Sequence, residues 1–124
     1  MEEAVYYKSE GGTIFAKATG HVTALVCPPL KAAIFERLDA EPTVDQVYFD
    51  LSGCEYMDST FLGLIVGTQK RFARLAGPSE RPKITLLGVN EACQGLLRTI
   101  GVLGMVELSD ASLSSPSGLP RLPS

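Results

Sequence analysis

The sequence has 124 residues, a mass of 13.3 kDa and a net charge of -3 at pH 7, with 45% hydrophobic and 20% charged residues. This length fits one domain with a single core, and the acidic balance gives no basic footprint, so we expect neither a nucleic-acid partner nor a stable membrane contact. The amino terminus lacks the basic start and apolar run of a secretory signal, and no stretch approaches the roughly 18 apolar residues of a membrane span, which predicts a cytoplasmic protein.

The first half of the chain predicts a hairpin, a helix and a strand. Residues 3–8 and 12–19 are β-prone runs separated by the glycine-containing turn SEGG, which favours an opening hairpin. Apolar residues at helical spacing over 30–41, preceded by two prolines, predict the first helix. Alternating apolar residues over 44–52 then predict a strand with at least one buried face.

The second half predicts two further helices and two strands. A broad apolar arc over 60–76 is typical of a surface helix packed on a sheet. After the break at GPSERP, the pattern predicts a buried strand over 83–89, a helix over 90–101 capped by Asn90, and a last strand or edge over 105–109. Strands that alternate with helices predict an α/β fold, and the opening hairpin makes its sheet mixed.

The last sixteen positions have a different composition. From Ser109 to Ser124, serine, proline and glycine dominate and the apolar periodicity disappears. We therefore expect a single domain over 1–108, followed over 109–124 by a disordered tail that is dispensable for folding. The tail serines are candidate modification sites, although a solvated tail without such a role is the simpler interpretation.

The cysteines and the histidine favour neither metal nor disulfide chemistry. Cys27, Cys54 and Cys93 are odd in number and far apart, with no C-x-x-C motif and no paired histidines, so we expect buried, reduced thiols. His21 follows Gly20 at the end of a strand-like run and lacks the companions of a metal ligand or a general base. We interpret it as a turn residue that touches a partner, and we expect no metal and no cofactor.

The segment DST at 58–60 marks the start of the helix predicted over 60–76. Asp58 stands where an N-cap belongs, with a carboxylate able to accept from a first-turn amide. At about 100° per residue, Ser59 falls on the outward side of the helix, together with several small or basic residues. These are Gly63, Gly67, Lys70 and Arg74.

The two glycines on that outward side need an explanation. Each costs a helix roughly 1 kcal/mol relative to alanine, so we interpret the face as a docking surface that a partner approaches closely. The alternative is that the glycines allow tight packing of the helix on its own sheet. Phe61 lies on the opposite stripe, with Ile65 and Phe72, and we expect its side chain to be buried.

The setting of Ser59 does not favour catalysis. A nucleophilic serine needs an adjacent base and oxyanion donors, often on a G-x-S-x-G turn, whereas its neighbours here are Asp58 and Thr60. The sequence also contains neither G-x-x-x-x-G-K-[ST] nor G-x-G-x-x-G. Two interpretations remain, namely a segment that only caps the helix and an exposed serine that receives a phosphate from another protein.

The stretch VYFDLSGCEYMDSTFLGLIVG, residues 47–67, resembles the signature of STAS-domain anti-sigma factor antagonists. In that signature a strand ending in D-L-S leads to M-D-S-S/T-x-L-G at the start of a helix. The resemblance extends over most of the chain, up to residue 108, and implies a STAS-like mixed sheet with helices mainly on one face. It places the family's regulatory phosphoserine on Ser59, with Asp58 and Thr60 beside it.

The resemblance also implies a function. In that family the unphosphorylated domain binds an anti-sigma factor serine/threonine kinase and releases a sigma factor, phosphorylation breaks the complex, and a phosphoserine phosphatase restores it. The expected function is therefore non-enzymatic partner switching. The expected partner-binding residues are His21, Asp58, Ser59, Thr60, Gly63, Gly67 and Lys70.

Two departures from the family pattern bear on the partner. Phe61 stands where glycine is frequent, and GHVTA, residues 20–24, replaces an acidic turn. The alternative function is a constitutive STAS scaffold or a lipid-transport-complex subunit without a phospho-switch. Small-ligand or nucleotide binding has no motif behind it.

Overall fold

The computed structural model of the protein describes residues 2–40, 43–76, 83–110 and 118–123. The strands are β1 (Ala4–Glu10), β2 (Thr13–Val22), β3 (Gln46–Asp50), β4 (Cys54–Met57), β5 (Ile84–Leu87) and β6 (Glu107–Ser109). The helices are α1 (Cys27–Ala40), α2 (Ser59–Ala76) and α3 (Glu91–Thr99), with a short 3-10 turn at Leu103–Met105. Across these described ranges, no helix combines the length and the apolar character needed to cross a bilayer.

The strands form one mixed sheet. β1 pairs antiparallel with β2, and β3, β5 and β6 follow in parallel, in the order β1-β2-β3-β5-β6. The ten-residue strand β2 pairs in parallel with two other strands. Its first part pairs with β3, and its end pairs with β4 after a register shift between Gly20 and His21. The mixed α/β fold that the sequence predicts is confirmed.

One apolar core lies between the sheet and the helices. On β2, the buried residues Ile14, Ala16 and Ala18 alternate with half-buried Phe15 and Lys17, whose side chains point to the opposite face. The inner residues join a single cluster with side chains from all three helices. The helical members include Leu30, Ile34 and Leu38 of α1, Phe61 and Ile65 of α2, and Cys93 and Leu97 of α3. The helical stripes and the strand alternation seen in the sequence therefore meet in one core.

The structure differs from the sequence prediction around β4. The sequence predicts a loop between the strand ending at residue 52 and helix α2, yet Cys54–Met57 forms a strand. β4 is only four residues long and gains its order by pairing with residues 20–22, a distant partner that no local pattern reveals. β2 consequently extends to Val22, so His21 lies within a strand and the prediction of a turn is wrong.

Part of the C-terminal tail also differs from the prediction. Residues 118–123 lie along the outer edge of β1, joined by backbone hydrogen bonds to Val5 and Tyr7. Leu122 is half-buried against the core. Disorder is therefore the wrong prediction for this segment, because a free strand edge and an apolar side chain offset the cost of ordering it. Residues 111–117 of the predicted tail lie outside the described residues.

Candidate functional site at the start of helix α2

Asp58 caps the first turn of α2. Its Oδ1 accepts hydrogen bonds from the backbone N–H groups of Thr60, at 2.9 Å, and Phe61, at 3.3 Å. An α-helix leaves these first-turn amides without an intrahelical partner, and the carboxylate also meets the positive end of the helix dipole. The N-cap predicted from the segment DST is confirmed.

The same carboxylate fixes the loop between β2 and α1. Asp58 Oδ2 accepts from the backbone N–H of Ala24 at 3.1 Å, although the two residues are 34 positions apart. The Asp58 N–H in turn donates to the Val22 carbonyl at 3.2 Å. Next to Ala24, the side chain of Leu25 is 89% exposed. A large apolar group thus stands in solvent on a loop that is tied to the start of α2.

Ser59 is the first residue of α2, and it is exposed. Thr60, which follows it, is half-buried. Phe61 is fully buried and packs edge-to-face on Phe49, with ring centroids 5.6 Å apart. The predicted burial of Phe61 is confirmed, and this anchor sets the rotation of the helix start that leaves Ser59 on the solvent side.

The two glycines of α2 have different surroundings. A Cβ at Gly63 would meet nothing within 4 Å, so the backbone there is open. A Cβ at Gly67 would lie 2.8 Å from Cζ of Phe35 on α1. Each step of four residues advances a helix by about 40° beyond a full turn, which carries Gly67 about 80° from Ser59. Gly67 therefore permits close packing of α2 on α1, and its assignment to an open docking face is wrong.

The basic residues of α2 also differ in their surroundings, since two of them contact α1 and one is exposed to solvent. The Arg71 guanidinium stacks on Phe35, 3.7 Å from the ring centroid, and both Arg71 and Arg74 lie 3.4 Å from Asp39 Oδ1 on α1. Arg74, which the sequence places on the outward side, is thus paired across the contact between the helices. Lys70 is exposed, but lies about 16 Å along the axis from the first helical residue.

Two exposed aromatic side chains, those of His21 and Tyr56, lie on the strand ends next to the start of α2. His21 on β2 is in register with Tyr56 on β4, with ring centroids 5.9 Å apart. His21 is exposed, and Tyr56 is 48% exposed. The chain runs from Tyr56 through Met57 directly into Asp58. Sequence reasoning missed Tyr56, because its position depends on the unpredicted strand β4.

We call the exposed groups around the start of α2 the entrance surface. It comprises His21, Leu25, Tyr56, Ser59 and Gly63. Aromatic and aliphatic side chains, a hydroxyl and an accessible backbone occur here on two strands, a helix start and the loop that Asp58 ties to that helix start. Such a combination suits contact with another protein, in which a few large side chains carry most of the binding energy.

Burial raises the pKa of all three thiols of the core. Cys27, Cys54 and Cys93 are free and buried, as the sequence predicts. Burial, helped by the charge of Asp58, raises the pKa of Cys27 to about 11, and burial together with Cys93 raises the pKa of Cys54 to about 12. Such thiols are core groups and poor nucleophiles. Within the part of the chain that the structure describes, no three His, Cys, Asp or Glu side chains are grouped to hold a metal ion.

Comparison with known proteins agrees with this architecture. The family model described as "Mlab, STAS domain" matches residues 7–107. The anti-sigma factor antagonist SpoIIAA in its unphosphorylated form is similar with a TM-score of 0.69 at 17% identity, covering 87% of this chain and 89% of that chain. The phosphorylated form of Bacillus SpoIIAA gives 0.68 at 16% identity, covering 86% and 91%. A proposed anti-sigma factor antagonist of Thermotoga maritima gives 0.68 at 20% identity, covering 87% and 86%. Comparison with curated proteins gives no match.

The family match spans most of the chain, so this protein belongs to the STAS-domain family. The resemblance seen in residues 47–67 is thereby confirmed. The similarity to SpoIIAA, at 17% identity, establishes a shared α/β fold, which in the described residues of this chain has a mixed sheet of six strands and three helices.

Proposed function

We propose that this protein is an anti-sigma factor antagonist and that a serine/threonine kinase of the anti-sigma factor type controls it by phosphorylating Ser59. One observation carries the proposal: an exposed serine occupies the first position of a helix whose start is fixed by its neighbour's carboxylate. A kinase must receive the acceptor oxygen within its own active site, so the hydroxyl has to project from the surface. The shared fold with SpoIIAA, which is known in both unphosphorylated and phosphorylated forms, supports the proposal.

In the unphosphorylated state, the entrance surface binds the kinase. Leu25 and Tyr56 supply apolar contact area, and exposed side chains of this kind act as anchors when a partner pocket covers them. The open backbone at Gly63 lets the partner approach α2 closely. His21 and Lys70 stand at the margins, where polar contacts adjust orientation more than affinity. The antagonist thereby occupies the anti-sigma factor, and the sigma factor is released.

A phosphate on Ser59 acts in the interface. It adds up to about two negative charges at the positive end of α2, a position that a folded helix tolerates well. A partner docked over Ser59 would have to bury this dianion beside Asp58. Uncompensated burial of that kind costs several kcal/mol, which lowers the affinity by orders of magnitude. Phosphorylation therefore breaks the complex while the domain stays folded, and a phosphoserine phosphatase restores binding. No residue has a catalytic role in this scheme.

Incubation with the cognate kinase and ATP, followed by peptide mass spectrometry, tests the assignment. We expect one phosphate on Ser59 and none on the Ser59→Ala variant. Thr60 is an internal control, because it is the adjacent hydroxyl but is half-buried. Modification of other residues, with Ser59 untouched, would show that the acceptor site is wrong.

A constitutive STAS scaffold or lipid-transport-complex subunit would use the same apolar contacts without the serine. The Ser59→Asp variant separates this function from partner switching. Under partner switching the variant loses affinity, since it places a charge in the interface. Under the constitutive function the affinity is unchanged.

A further inference from the structure

Among the strands β1 to β6 of the described residues, β1 lies at one end of the sheet and pairs with β2. In an antiparallel strand, alternate residues direct their N–H and C=O groups to opposite edges, so Val5 and Tyr7 present backbone groups to the side away from β2. An outer edge of this kind accepts any extended segment with free backbone groups. In this protein the C-terminal segment 118–123 occupies part of it.

Two backbone hydrogen bonds attach this segment. The Tyr7 N–H donates to the Pro120 carbonyl at 3.0 Å, and the Leu122 N–H donates to the Val5 carbonyl at 2.9 Å. Between them, Tyr6 and Arg121 form a single antiparallel bridge. The segment therefore adds a short strand to the sheet next to β1.

Side chains fix the register of this short strand. Leu122 packs half-buried against the main core. Arg121 Nη2 donates to Glu2 Oε1 at 2.7 Å, although both side chains are largely exposed. The exposed ion pair contributes little to stability, so Leu122 is the main anchor.

One proline limits the attachment. Pro120 accepts from Tyr7 but has no N–H to return to the Tyr7 carbonyl. The ladder thus stops after one bridge. A segment held by two backbone hydrogen bonds, an exposed ion pair and the packing of Leu122 on the core can detach while the rest of the sheet remains folded.

We propose that the outer edge of β1 is a strand-addition site and that residues 118–123, which we call the strap, are its occupant within the same chain. The strap covers Val5 and Tyr7 and prevents a second copy of the protein from pairing through its own β1. Detachment of the strap makes this edge available for self-association. The site is separate from Ser59 and does not depend on the function proposed above.

Hydrogen exchange of single amides in the full-length Leu122→Asp variant tests this proposal. The variant removes the apolar anchor, so the Tyr7 amide, which donates to the strap, should exchange roughly 10-fold to 100-fold faster in dilute solution. The Tyr6 amide faces β2 and should keep its rate, which shows that the domain is still folded. The Leu25→Asp variant makes the same chemical change at an exposed site away from β1 and should leave both rates unchanged.

Two further measurements complete the test. A synthetic peptide of residues 118–124 should restore Tyr7 protection in the Leu122→Asp variant, and the same peptide with the Leu122→Asp change should not. In sedimentation velocity, the variant should form dimers with increasing concentration while the unaltered chain stays monomeric. Equal exchange rates of the Tyr7 amide in the unaltered protein and in Leu122→Asp, or no protection of this amide by the peptide, would show that residues 118–123 do not occupy the edge of β1. A variant that stays monomeric would overturn its role against self-association, and Tyr7 protection that requires dimers of the unaltered chain would place the strap on the neighbouring copy.

Discussion

Asp58 and Ala24 are joined by a hydrogen bond of 3.1 Å between a carboxylate oxygen and a backbone amide, across 34 positions of sequence. The other oxygen of the same carboxylate caps helix α2. One side chain therefore holds both the helix start that carries Ser59 and the loop that carries Leu25. The relative placement of the hydroxyl and the apolar side chain depends on this residue.

Replacement of Asp58 should lower stability. Asp58→Ala removes the cap and the link to Ala24, and the loss of a helix cap typically costs about 0.5–2 kcal/mol. In Asp58→Asn one oxygen can still cap the helix, but an amide NH2 then faces the Ala24 N–H. The stability of this variant should therefore lie between that of the unaltered protein and that of Asp58→Ala. Urea denaturation gives the free energies of unfolding. Ser59→Ala is the control and should lie within about 0.5 kcal/mol of the unaltered protein. Equal stability of Asp58→Ala and Ser59→Ala would contradict this role.

The two glycines of α2 form a matched pair of predictions. Gly63→Ala should stabilise the protein by up to about 1 kcal/mol, because a Cβ there meets open space and alanine favours the helix. Gly67→Ala should destabilise it, because overpacking against a fixed side chain costs about 1–3 kcal/mol, more than the helix gains. Phe35 is held in place by Arg71 stacked on its ring. Thermal denaturation of both variants gives the two signs, and equal shifts in the same direction would show that the contact with Phe35 relaxes without cost.

Gly63→Ala should also weaken binding of the kinase despite its greater stability. The added methyl group lies where the partner is proposed to approach the backbone of α2. Calorimetric titration of the variant measures this effect. Unchanged affinity would show that Gly63 lies outside the interface, and it would not bear on Ser59 or Leu25.

Two aromatic residues near the site should respond in opposite ways. Phe61 is fully buried against Phe49, so Phe61→Ala should cost about 3–5 kcal/mol of stability. Tyr56 is about half-exposed, so Tyr56→Ala should cost far less and should instead weaken binding of the kinase. Denaturation midpoints and affinities of both variants test this. Strong destabilisation by Tyr56→Ala with unchanged affinity would make Tyr56 a structural residue.

The buried thiols predict a loss of stability at alkaline pH. Folding raises the pKa of Cys27 to about 11 and of Cys54 to about 12, whereas an unfolded cysteine titrates near 8.5. Between these values the unfolded chain has released protons that the folded protein retains, so stability falls as pH rises above about 8.5. Denaturation midpoints measured from about pH 8 to about pH 11 should fall. The slope should be smaller in a Cys27→Ala, Cys54→Ala double variant, which retains the other groups that titrate in this range. Identical slopes would show that the thiols do not contribute.

The sequence predicts the features of this protein that depend on neighbouring residues. The cap at Asp58, the burial of Phe61 and the cap at Asn90, which accepts from the Cys93 amide at 2.8 Å, all follow from local spacing. Strand β4 depends on β2, and the position of Gly67 depends on where α1 lies. These are long-range relationships that a pattern along the chain does not encode.

The order of the strap also depends on a long-range contact, in a segment whose composition favours disorder. Few apolar residues and many prolines predict disorder, and that prediction considers the segment alone. The order of residues 118–123 comes from the free edge of β1, more than one hundred positions earlier in the chain. Leu122 is the only described residue of the segment that packs against the core.

Phosphorylation of Ser59 should not unfold the domain. The phosphate lies at the positive end of α2, and Asp58 already satisfies two first-turn amides, so the helix start does not depend on the serine hydroxyl. Ser59→Ala should accordingly bind the kinase constitutively, and Ser59→Asp should bind poorly, with Tm values close to that of the unaltered protein. Aspartate carries less charge than phosphoserine and has a shorter reach, so its effect should be the smaller of the two.

The affinity of the cognate kinase for enzymatically phosphorylated protein, measured together with the Tm of that protein, tests the central claim most directly. If Ser59 is a switch that acts in the interface, the phosphorylated form binds the kinase at least about 100-fold more weakly than the unmodified form and melts at nearly the same temperature. Equal affinity of the two forms would contradict the switch. Weak binding accompanied by a Tm far below that of the unmodified form would contradict the interface mechanism, because the phosphate would then act by unfolding the start of α2.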